Sequence, residues 1–192
     1  MRTNLSILAI LAVGTPAALI GQSGIAVGGF ETDGSVGLTR DEYQAIGRAL
    51  TDLVRTGLGA SGAPVSVEPT AGTRPGRVDL GAARAAATAA GAKYLVVGSL
   101  LDQYGDIKVE ARIIDAATGK PIAVVRGDPA IASRDQLADA IVALTTRLAA
   151  EPQLGAKPAR TIAGGIPVAA LIAYGRGLGF EAAGDRTKAA AA

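Results

Sequence analysis

Cysteine, histidine and tryptophan are all missing from this 192-residue chain. Without the first two, no disulfide, thiolate nucleophile, iron–sulfur cluster or ordinary zinc site can be built, and no histidine can act as acid, base or triad member. The lack of cysteine leaves the compartment open, since oxidising and reducing spaces both tolerate a cysteine-free protein. Aromatic residues amount to only 3%, so a core has to be assembled from Leu, Ile, Val and Ala. Charge is sparse as well. The formal net is +2, spread without any basic run, which argues against the electrostatic footprint of a nucleic-acid partner. What is plentiful is apolar surface. At 49% hydrophobic residues the chain can build one real core with appendages, but not two large domains.

Arg2 precedes an apolar run from Leu5 to Ile20, closed by Gly21-Gln22-Ser23-Gly24. A basic start, an apolar stretch and small residues in that order describe a secretory signal peptide over residues 1–23. Gly21 and Ser23 permit cleavage after Ser23, while Thr15 and Ala17 permit an earlier cut. The run is shorter than the roughly 20 residues of a typical span and contains Gly14 and Pro16. Cleaved, it leaves a periplasmic or exported protein. Retained, it is an N-terminal anchor that gives membrane contact through Leu5 to Ile20.

Beyond it, Ile25 to Glu31 reads as a first strand. Thr39 and Glu42 have capping-box spacing, and Tyr43, Ile46, Gly47, Leu50, Leu53 and Val54 follow as one helical stripe. This helix should end near Gly57-Leu58-Gly59, with Val65-Ser66-Val67 as a second strand and Thr70 to Gly76 as a loop. Asp79 can cap a second helix that turns Leu80, Ala83, Ala87 and Ala90 to a sheet and stops at Gly91, where a C-cap favours positive φ. Tyr94-Leu95-Val96-Val97 is an apolar, β-prone run of the kind buried on both faces. The turn residues Asp102 to Asp106 come next. Then Ile107, Val109, Ala111 and Ile113 alternate with Lys108, Glu110 and Arg112, so one face of this strand meets a core and the other meets water. Asp115 to Gly119 turns the chain again into Ile122 to Val125. Ser133 and Gln136 open a third helix whose stripe is Leu137, Ala140, Ile141, Leu144 and Leu148, and Pro152 follows its end. The order β-α-β-α-β-β-β-α implies an α/β fold, a mixed sheet with an antiparallel hairpin and helices packed on it.

Three segments, Ile25-Ala26-Val27-Gly28-Gly29-Phe30-Glu31, Gly91 to Ser99 (GAKYLVVGS) and Asp115 to Gly119 (DAATG), together resemble the α/β domain shared by the amino-terminal part of the TolB translocation protein, the curli secretion protein and outer-membrane lipoprotein activators of peptidoglycan synthases. The resemblance covers residues 25–151 and implies a non-catalytic envelope module. The chain departs from the family pattern at Gly28-Gly29, where Leu-Pro is usual, which leaves the exit of the first strand open. Pore formation, known in the curli relative, is not implied, because no spare pair of long alternating strands is present.

Residues 152–167 have the Gly, Pro, Lys and Ala composition of a linker. A new periodic segment covers 168–192. With Gly177 placed at a glycine position of a tetratricopeptide repeat, Phe180, Gly184 and Ala189 fall where that repeat takes an aromatic, Gly and Ala, so the segment resembles a repeat cut short; the other reading is an Ala-rich helical tail. Tyr174, Gly177, Phe180, Gly184 and Ala189 are the candidate interaction surface. Gly175, Gly177 and Gly179, closely spaced in a helix, suggest tight helix packing.

The carboxylates and serines offer no catalytic constellation. Asp102 and Asp106 flank one turn and could share a cation, although turn aspartates usually hold local N–H groups. Glu31 and Asp33 end the first strand, where α/β folds place ligands, but have no partner nucleophile. No phosphate-binding glycine motif or nucleophile elbow occurs. The expectation is therefore a protein with no catalytic residues, cofactor or metal, which binds envelope proteins or itself. The competing expectation is a membrane-anchored accessory or structural subunit of a larger envelope complex.

Overall fold

The computed structural model describes residues 24–34, 37–65, 73–74, 77–157 and 165–192. The expected signal segment lies outside the described residues, as do Ser66 and Val67 of the expected second strand. Seven strands and five α-helices appear among the described residues: β1 Gly24–Gly34, α1 Arg40–Ala60, β2 Thr73–Arg74, β3 Arg77–Val78, α2 Leu80–Ala89, β4 Ala92–Gln103, β5 Asp106–Asp115, β6 Pro121–Arg126, β7 Ala132–Ser133, α3 Leu137–Ala149, α4 Val168–Ala182 and α5 Arg186–Ala191.

Five strands form one open mixed sheet in the order β1-β4-β5-β6, with β7 also paired to β5. β1 runs parallel to β4, and the other pairs are antiparallel. The first strand does not stop at Gly28-Gly29. Its register with β4 shifts between Val27 and Phe30 and pairing then resumes as far as Gly34, so the two glycines host a bulge inside a longer strand. Val65, the one described residue of the expected second strand, makes an isolated parallel bridge to Ile25. Part of the expected Thr70 to Gly76 loop is a small hairpin, with Thr73 opposite Val78 and Arg74 opposite Arg77.

Helix boundaries follow the local chemistry. Thr39 and Glu42 form a reciprocal capping box on α1, and the Asp79 carboxylate accepts from Ala82 N–H on α2. Gly91 has φ +73. Ahead of α3, the Gln136 side chain accepts from Ser133 N–H, but residues Arg134–Gln136 are a 3-10 turn, and the α-helix begins only at Leu137.

Strand alternation divides the core in two. On the first face, α1 and α3 cover Ile25, Val27, Phe30, Val96, Leu100, Ile107, Val109, Ala111, Ile113 and Val125, with Leu171 and Ile172 of α4 in the same cluster. On the second face, α2 supplies only Ala83 and Ala87 against Ala26, Leu95, Val97 and Ile114. Two of the expected sheet-facing residues of α2 fall elsewhere: Leu80 is 42% exposed, and Ala90 is exposed at the C-cap. A short helix with alanine contacts covers β4 and β1 and touches only the end of β5, at Ile114 and, through Arg84, at the Ala116 and Ala117 carbonyls. Gly98 joins two of the sequence motifs across the first face. A Cβ there would lie 2.1 Å from the Phe30 ring, so the glycine of the GS pair is the seat of the phenylalanine of the first strand.

Candidate functional site

Three places gather the residues singled out by the sequence. The first is the tail. α4 lies across α1, and Gly175 marks the closest approach, since a Cβ there would stand 1.8 Å from the Ala45 carbonyl oxygen. Arg48 Nε donates to the Gly175 carbonyl at 2.8 Å, and Arg176 pairs with Asp41 at 3.2 Å. The Tyr174 hydroxyl donates to Asp52, which also pairs with Arg55. Burial first, and then the hydrogen bond and charge of Asp52, push the Tyr174 phenol up to about 12. Gly177 faces the other way, 3.7 Å by its would-be Cβ from the Ala189 carbonyl of α5, and Gly184 turns the chain between the helices at φ +77. Phe180 is half-buried, and Lys188 stands 5.8 Å from its ring centroid. Gly177, Phe180, Gly184 and Ala189 thus meet at one helical elbow, while Tyr174 belongs to the junction with α1. The stretch between α3 and α4 is itself tied down in part: Leu154 is 2% exposed, and Lys157 N–H donates to the Ser61 carbonyl at 2.8 Å.

The second place is the hairpin base. Asp102 is 1% exposed. It accepts from Arg134 Nε at 2.7 Å and from Gly105 N–H at 2.9 Å. Arg134 N–H in turn donates to the Gly105 carbonyl at 2.8 Å. Burial alone would raise the Asp102 carboxyl, but the Arg134 hydrogen bond, the Gly105 N–H, the Arg134 charge and Tyr43 outweigh it and hold the pKa below the usual carboxylate range. Burial and then Asp102 push the neighbouring Tyr43 phenol up. This cluster clamps the β4–β5 hairpin to the start of α3, beside α1. A cation shared by Asp102 and Asp106 does not fit it. Asp102 pairs with Ile107, whereas Asp106 pairs with Gln103, so alternation sends the two carboxylates to opposite faces. No group of three or more His, Cys, Asp or Glu able to hold a metal occurs among the described residues. Glu31 accepts from Val78 N–H at 3.2 Å and Asp33 from Gly34 N–H at 2.9 Å. Both serve the backbone.

The third place holds one residue singled out by the sequence, Glu31, which lines a cavity there. On the second sheet face, α2 leaves the β5–β6 half open, and Ile122 and Val124 stand 45% and 50% exposed there. Beside them is this cavity of about 160 Å³, whose lining is mixed: Val78, Leu80, Val97 and Ile114 are its apolar walls, and Glu31, Ser99, Glu110 and Arg112 its polar ones. Glu110 accepts from Arg112 at 3.4 Å and Arg126 at 3.3 Å, which lays both guanidinium groups along the sheet. The alternation in β5 indicates a wet face, but which strands lack a helix above them is decided by topology.

No family model and no curated protein matches the chain. Among solved structures, it is similar to the LpoB C-terminal domain from Salmonella enterica, at 14% identity and TM-score 0.35 over 58% of this chain and 83% of that one. It is similar to the chain of a PelC dodecamer from Paraburkholderia phytofirmans at 18% identity and TM-score 0.46, over 72% of this chain and 89% of that one. TolB from Acinetobacter baumannii matches at 16% identity and TM-score 0.36, over 66% of this chain and 28% of that one. None of the three lends an activity or a partner to this chain.

Proposed function

We propose that this chain is a non-catalytic, exported module of the cell envelope that acts by binding other proteins. The observation that carries the reading is the half-covered second face of the sheet, where Ile122 and Val124 stand exposed next to a cavity of mixed apolar and charged lining. Exposed contiguous apolar surface is the usual mark of a protein contact. The buried ionisable groups fit the same reading, because Asp102 and Arg134 satisfy each other and the hairpin backbone. In this proposal the domain is a member of the TolB amino-terminal and curli-secretion group, as its strand motifs suggest, and α4–α5 is the opening of a tetratricopeptide-like repeat that offers a second contact surface at Phe180 and Ala189.

Export rests on Arg2 and the Leu5 to Ile20 run. Residues 1–24 fused to a reporter active only outside the cytoplasm should give activity, and a reporter retained in the cytoplasm would contradict the localisation. Mass spectrometry of the mature amino terminus separates a cleaved, soluble product from the membrane-anchored subunit. No helix among the described residues is long and apolar enough to cross a membrane.

A further inference from the structure

We draw no further inference here: the strongest candidate, the open half of the second sheet face around Ile122, Val124 and the mixed cavity, belongs to the site already described, its cations and carboxylates balance, and nothing in the structure shows what covers it.

Discussion

The two faces of this sheet are built from the same strands and end in different states. The first is sealed by α1, α3 and α4 over branched aliphatics such as Val96, Ile107 and Ile113, all at most 1% exposed. The second is held by alanines of α2 over β1 and β4, while β5 and β6 show Arg112, Ile122, Val124 and Arg126 to solvent. Burial of branched aliphatics contributes about 1.5–3 kcal/mol each, so stability is concentrated on the first face. The second face still buries Leu95, Val97 and Ile114, but Ile122 and Val124 stand half-exposed on it, and these outer side chains are the ones free to take part in recognition.

Substitutions can break this contrast, beginning with the largest effect. Val96→Asp should cost on the order of 3–5 kcal/mol, because it leaves an unpaired carboxylate under α1, and should abolish cooperative urea unfolding or bring its midpoint close to zero denaturant. Asp102→Asn should cost about 1.5–3 kcal/mol by removing a charged hydrogen bond. It should also change the acid limb of the stability curve. The folded carboxyl has a pKa below that of an ordinary aspartate, so its contribution is fully present above about pH 4 and is lost as pH falls through the lower folded value. The Asn variant should be flatter with pH in that range, as followed by circular dichroism.

Gly175→Ala tests the junction between tail and domain. With the Ala45 carbonyl at 1.8 Å from the new Cβ, α4 must shift away from α1, at a cost of about 1–3 kcal/mol. Limited proteolysis should then reach α4 and α5 earlier than in the wild-type chain. The smallest change is expected for Val124→Asp, which replaces a half-exposed side chain and should stay within about 0.5 kcal/mol of wild type. A melting temperature that falls as far as that of the Val96 variant would show the two faces to be equivalent.

Much of the architecture is legible in the chain because its signals are local. Thr39 with Glu42, Asp79, Gly91 and the Asp102 to Asp106 turn each act within a few residues, and the alternation from Ile107 to Ile113 gives a face without reference to the rest of the fold. The candidate site is less legible, because its parts are joined across long separations. Asp102 finds Arg134 only once the hairpin lies over the entry to α3, and Gly98 has meaning only under the Phe30 ring. Leu80 fits the helical stripe of α2 yet lines a cavity at the start of that helix. Ile122 and Val124 are recognisable as strand residues. Their exposure depends on how many helices the topology places on each side, which no window of sequence contains.

The central claim, that the open half of the second face is the recognition surface, is tested most directly by a photoreactive residue installed at position 124 of the full chain in cells, with the exposed turn residue Thr118 as the control position. The account predicts a discrete protein adduct from position 124 that disappears with Arg112→Glu, and none from position 118. Equal adducts at both positions, or none at 124 from a normally folded chain, would contradict it.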